Sequence, residues 1–193
     1  IRPVREMDFA MFAPVDVTER SKLDKLTAAN IHRSSLNVPH VTQFDEADIT
    51  ALEEFRGVLK AEAERRNTRL TPMPFILKAC AVALKEFPAI NSTLDLQAGR
   101  QIFKRYVHIG IAVDTDYGLL VPVLRDVDKK PVVQLADELT DIAQRTRERA
   151  IKPAELKGGS FTITNIGGIG GTGFTPIVNW PQVAILGVAR SQQ

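Results

Sequence analysis

Cysteine occurs once in this chain of 193 residues, tryptophan once, tyrosine twice and histidine three times. A lone Cys80 excludes an intrachain disulfide and any multi-cysteine zinc site, and usage this sparse suits a reducing compartment. The histidines, His32, His40 and His108, have neither the spacing of a metal pair on one helix nor a cysteine beside them, so no metal site is expected. An excess of one charge is also missing. The 25 Lys and Arg against 23 Asp and Glu leave a formal +2, too little to suggest a nucleic-acid surface. The longest apolar stretches, around Phe75 to Leu84 and Val183 to Val188, are interrupted by Lys78 or fall far below the roughly 20 residues of a membrane span. What remains, at 44% hydrophobic residues, is enough to bury the core of one domain. The chain opens on Ile1 without a basic-then-apolar leader and reads as a processed or excised stretch.

Residues 1–20 hold Pro3, Pro14, scattered charges and the isolated Phe9 and Phe12, with no sustained period, which predicts an extended arm. Its two rings are suited to anchor the arm on a neighbouring subunit or on its own domain. Ser21 precedes a helical pattern of Leu23, Leu26, Ala29 and Ile31 that ends before Asn37 and Pro39. Thr50-Ala51-Leu52-Glu53 has the spacing of a capping box, predicting a helix over about 51–66 with Leu52, Phe55, Val58 and Leu59 buried. Arg65, Arg66 and Asn67 close it where the helix dipole favours cations. Thr71-Pro72 is a further start signal, the hydroxyl suited to cap, and the nearly all-apolar Met73 to Leu84 predicts a central helix.

From residue 89 to 125 the period changes to two. Val107, Ile109, Ile111 and Val113 fall on one side, and Tyr117-Gly118 signals a hairpin bend near Asp116. Pro131 opens a helix with Val132, Leu135, Ala136, Leu139 and Ile142 on one face, followed by the solvated run Arg145, Arg147, Arg149 and Lys152. Ser160 to Asn165 alternates as a strand, and a last apolar strand spans about 182–189. The class is α/β or α+β with a mixed sheet.

Gly168-Ile169-Gly170-Gly171-Thr172-Gly173 matches the dinucleotide pattern G-x-G-x-x-G, but its context opposes that reading. Pyrophosphate binding needs a helix to start at the loop, and Pro176 and Pro181 follow instead. The glycines read as sites of close backbone packing. Cys80, among alanines and valine in mid-helix, reads as an inert core thiol, and His40 and His108 as hydrogen-bonded structural residues or general bases.

Several segments together resemble one family, the dihydrolipoamide acyltransferases at the core of 2-oxo acid dehydrogenase complexes. They are Asn37 to Thr42, Leu70-Thr71 through Pro74-Phe75, Ala112 to Thr115 with Gly118-Leu119, Gly159 to Gly171, and Pro181 through Gly187. The opening Met7 to Phe12 and the stretch Leu36 to Phe44 look most like the acetyl-transferring members of pyruvate dehydrogenase complexes. The resemblance implies an α/β, chloramphenicol acetyltransferase-like two-layer fold with a mixed sheet over residues 21–193. It implies acyl transfer between the dihydrolipoamide of a separate lipoyl domain and coenzyme A, with no metal. It implies a homotrimer building a larger core, with 2-oxo acid dehydrogenase and dihydrolipoamide dehydrogenase as partners, in bacterial cytoplasm or mitochondrial matrix.

Carried over residue by residue, Thr164 matches the hydroxyl that stabilises the oxyanion, and Arg56, Thr71, Asp114 and Asn165 match positions associated with coenzyme A. A guanidinium suits a phosphate, whereas Asp114 suits a hydrogen-bonded group or a turn. The family's general base, in His-x-x-x-Asp-Gly, has no counterpart in this sequence. The domain is therefore expected to lack its C-terminal part, and the alternative is a non-catalytic structural core component.

Overall fold

The computed structural model describes residues 7–65 and 70–192. Among them run the helices α1 (Lys22–Asn37), α2 (Thr50–Arg65) and α3 (Met73–Glu86), the strands β1 (Ser92–Asp95), β2 (Arg100–Phe103), β3 (Ile109–Ile111) and β4 (Val123–Leu124), the helix α4 (Val132–Arg147), and the strands β5 (Phe161–Asn165) and β6 (Ile185–Val188). β1 and β2 form a hairpin of their own. The main sheet has the order β4-β3-β5-β6, with β3 antiparallel to β4 and parallel to β5, and β5 parallel to β6, so the expected mixed sheet is present. The expected bend falls where Gly118 N donates to Thr115 O at 3.0 Å, between the bridged residues Val113 and Leu120.

The period-two residues set the core. Ile109, Ile111, Phe161 and Ile163 turn one face of the sheet to Leu77, Ala81 and Leu84 of α3 and to Leu135 and Ile142 of α4. Leu77, Ile109, Leu135 and Ile163 are wholly buried, each contributing about 1.5–3 kcal/mol of hydrophobic stabilisation. The opposite face carries two glycines where covering segments approach closely. A Cβ on Gly110 would lie 2.8 Å from Val121 Cγ1, and one on Gly187 would lie 2.9 Å from Phe174 Cζ, so these two glycines admit the segments that cover them. Thr162 Oγ1 donates to Gln182 Oε1 at 2.7 Å with both residues buried, tying the non-helical segment before β6 to this face.

The start of α1 follows its sequence signal. Ser21 Oγ accepts from Asp24 N at 3.1 Å and Asp24 accepts from Ser21 N at 3.1 Å, a reciprocal cap. The start of α2 does not. Asp48, two residues earlier, accepts from Thr50 N at 2.8 Å and Thr50 Oγ1 at 2.6 Å, while Glu53 N donates to Ile49 O at 2.9 Å. Asp48 thus supplies the acceptor assigned above to Thr50, and Glu53 is free to pair with Arg56. The predicted stripe of α2 is also corrected, because Phe55 and Val58 are 54% and 77% exposed; Leu59 and Ala63 make the inner contacts. No side chain caps α3, which opens on Pro72, so the Thr71 hydroxyl does not serve there. Arg65 closes α2, whereas Arg66 and Asn67 lie outside the described residues. Residues 7–20 of the arm are exposed, Phe9 and Phe12 included, and carry one short 3-10 turn at Phe9–Met11; residues 1–6 lie outside the described range.

Candidate functional site

Parallel strands bring their C-terminal ends to one edge, and three of the sequence-predicted residues meet there. Ala112 N donates to Ile163 O at 3.0 Å, which sets Asp114, just beyond β3, near the register of Thr164 and Asn165. Thr164 pairs with Gly187 and Asn165 with Val188. Strand alternation puts Thr164 on the face of Thr162 and Gly187, away from the helices. Thr164 is half-buried and its hydroxyl makes no hydrogen bond among the described residues. Asp114 is exposed and likewise unbonded, whereas Asn165 Oδ1 accepts from Gly167 N at 2.7 Å and shapes the loop after β5.

Arg56 and Thr71 form a second group, where α2 meets the entry to α3. Arg56 Nη1 donates to Leu70 O at 3.3 Å and Nε to the Glu53 carboxylate at 3.1 Å, with Nη2 paired to the same carboxylate. The pairing holds the Glu53 carboxyl below its usual range, first through the hydrogen bond from Arg56. A phosphate at this guanidinium would have to share it with Glu53.

Two hollows lie beside these groups. A cavity of about 380 Å³ is walled by Val38, His40, Phe44, Phe174, Val183 and Gly187, so the glycine paired with Thr164 lines it. A more open depression of about 830 Å³ joins Thr50 and Glu53 of α2 to Gly171, Thr172 and Arg190. The glycine-rich loop thus borders a hollow, but no helix follows it before β6, as its prolines predict.

The histidines serve the backbone. His40 Nδ1 lies 2.7 Å from Val38 O and Nε2 accepts from Val178 N at 2.9 Å, clasping the loop after α1 to the segment before β6. His108 Nδ1 accepts from Asp126 N at 3.0 Å, and its ring lies against Tyr106. Burial pushes the Cys80 thiol up to about 11, which makes it the inert core residue expected. Sequence reading missed Gln182, Phe174 and Ser160, whose hydroxyl donates to His108 O at 3.1 Å. Each acts across more than ten residues of chain, where no short motif reports it. Among the described residues no group of three or more His, Cys, Asp and Glu could hold a metal, and no helix is long and apolar enough to cross a membrane.

Residues 13–193 match the family model described as 2-oxoacid dehydrogenases acyltransferase, catalytic domain. The chain is 53% identical over 191 residues to the dihydrolipoyllysine-residue acetyltransferase component of the pyruvate dehydrogenase complex of Pseudomonas aeruginosa, an alignment covering 99% of this chain and 35% of that protein. It spans about a third of such curated relatives. A solved dihydrolipoamide acetyltransferase from Azotobacter vinelandii superposes with a TM-score of 0.96 at 50% identity, covering 100% of this chain and 80% of that one. The solved cubic core of a pyruvate dehydrogenase multienzyme complex matches with the same TM-score of 0.96, identity of 50% and coverages of 100% and 80%. The fold is accordingly the chloramphenicol acetyltransferase-like, two-layer architecture that the resemblance implied. With its sheet, its helical layer and nearly its whole length matched, the chain belongs to the family of 2-oxoacid dehydrogenase acyltransferase catalytic domains.

Proposed function

We propose that this domain moves an acetyl group between dihydrolipoamide, carried on a separate lipoyl domain, and coenzyme A within a pyruvate dehydrogenase complex. A histidine outside this sequence takes the thiol proton; the thiolate attacks the thioester carbonyl; the tetrahedral oxyanion accepts a hydrogen bond from Thr164 Oγ1. The single observation that carries the reading is that hydroxyl, half-buried at the strand edge and unbonded, as a donor kept for a transient acceptor must be. His40 is unsuited as the base because both ring nitrogens hold backbone groups. Arg56, Thr71, Asp114 and Asn165 are the coenzyme A contacts in this reading, with Arg56 on phosphate.

The domain works as a homotrimer within a larger core in bacterial cytoplasm, with 2-oxo acid dehydrogenase and dihydrolipoamide dehydrogenase components as partners. The test is acetyl transfer from acetyl-coenzyme A to dihydrolipoamide by the full-length gene product. Thr164→Ala should lower kcat about 100- to 1,000-fold with little change in KM, and Thr164→Ser should retain most of it. An unaltered kcat in Thr164→Ala sinks the assignment of this residue. The second reading is a non-catalytic structural core component of such a complex. Assembly without transfer by the full-length product would establish that one instead.

A further inference from the structure

Outside the candidate site, one amine stands apart. Lys25, Lys85, Lys129 and Lys130 each face a carboxylate, and Lys78 Nζ donates to two carbonyls, Asp128 O at 2.7 Å and Lys130 O at 2.8 Å. Lys104, just after β2, is half-buried, and its Nζ donates to one acceptor, Ser92 O at 2.9 Å. No carboxylate reaches it among the described residues. Asp95 and Arg100, the charged pair of the same hairpin, neutralise each other at its far end at 2.8 Å, and the charged neighbour in sequence, Arg105, adds a like charge.

The surroundings hold this lysine in place. Lys104 N donates to Asn91 O at 3.1 Å, and Asn91 Nδ2 donates to Lys104 O at 3.2 Å and Tyr106 O at 2.9 Å. A half-buried ammonium with one neutral acceptor loses solvation that no anion returns. The free amine keeps two N–H groups, so it can retain the bond to Ser92 O and still present a lone pair.

We propose that Lys104 is a site of self-modification, its amine acylated by the acyl thioesters with which an acyltransferase domain works. The neutral amine attacks the thioester carbonyl, a C–N bond forms, the C–S bond breaks, and the thiol leaves with the amine's proton. No oxidant or further reactant is needed. The amide N–H inherits the bond to Ser92 O, and one positive charge is lost. Burial holds the Lys104 ammonium below the usual lysine range, in keeping with the geometry. The inference is independent of coenzyme A binding, because the donor need only be an acyl thioester.

The test incubates the full-length protein with acetyl-coenzyme A, and separately with a small alkyl thioester that needs no coenzyme site, and follows each lysine by peptide mass spectrometry from pH 6.5 to 9. At pH 7.4 Lys104 should acetylate at least about threefold faster than the exposed Lys22 and Lys157 with both donors, the difference shrinking only where Lys104 completes the loss of its proton ahead of the exposed amines. Gln101→Glu sets a carboxylate beside this group, since Gln101 Nε2 lies 2.9 Å from Ser92 Oγ, and should erase the preference without touching the core. Rates for Lys104 at or below those of Lys22 with both donors, or a preference that survives Gln101→Glu, overturn the proposal. Transfer to dihydrolipoamide, measured in the same samples, reports on the transferase reading separately.

Discussion

Gly110→Ala isolates how closely the sheet is covered on its non-helical face. The added Cβ would lie 2.8 Å from Val121 Cγ1 and 3.2 Å from Thr162 Oγ1. Neither neighbour yields freely: Val121 precedes the wholly buried Pro122, and Thr162 is tethered to Gln182. Overpacking of this kind costs about 1–3 kcal/mol, offset by about 0.4–1 kcal/mol from the stiffer unfolded chain. A net loss of roughly 1–2 kcal/mol is expected, or about 2–8 °C in Tm for a domain of this size. The same change at Gly57, exposed on α2 with nothing within 4 Å, should instead stabilise by about 0.5–1 kcal/mol. Adding Val121→Ala to Gly110→Ala removes the colliding methyl, so the double variant should be more stable than the two single losses predict. Urea unfolding and calorimetry read the parent and the four variants, the Val121→Ala single change included. A Gly110→Ala protein as stable as its parent, or a strictly additive double variant, would refute the packing argument.

Arg56→Met should raise KM for coenzyme A about tenfold or more with kcat little changed, and Glu53→Gln, which releases the guanidinium, should lower it; initial-rate kinetics decide, and unchanged KM in both excludes Arg56 from the phosphate. Glu155 accepts from Lys152 N at 3.0 Å and pairs with Arg145 at 2.8 Å, and its carboxyl is held below the usual glutamate range, mainly by the backbone bond. With the folded-state value lowered, its contribution is present above about pH 4.5 and is lost as pH falls through the folded value, so Glu155→Gln should flatten stability against pH below about pH 4.5 in urea titrations. Cys80, with its thiol pushed up to about 11, should resist iodoacetamide at pH 7.5 in the folded protein and react on unfolding, as mass spectrometry would show.

Periodicity and caps made the central helices and the hairpin legible, because Leu77, Ile109, Leu135 and Ile163 must face one core wherever the elements lie. It failed for Phe55 and Val58, whose apolar character says nothing about which neighbours are present to cover them. The Thr50 box gave way to Asp48, a carboxylate equally able to accept from a free amide and better placed. Thr164 and Asn165 of β5 and Asp114 beyond β3 were singled out by the motif match alone, and their place at one sheet edge depends on the parallel pairing of β3 with β5, a contact across about fifty residues that no local pattern contains. The clasp from His40 to Val178 and the bond from Thr162 to Gln182 are of the same kind.

That long-range pairing also bears on how the protein is made. The hairpin of β3 and β4 leaves the ribosome with Ile109 and Ile111 ready to bury, yet β5, which flanks β3, begins at Phe161 and β6 ends at Val188. Synthesis at about 5–20 residues per second leaves the unpaired edge of β3 open for several seconds before its neighbours emerge. Nascent copies crowded on one message can pair edge to edge during that interval. Slowing translation after Leu124 should therefore raise aggregation, and supplying a chaperone that covers apolar strands should lower it.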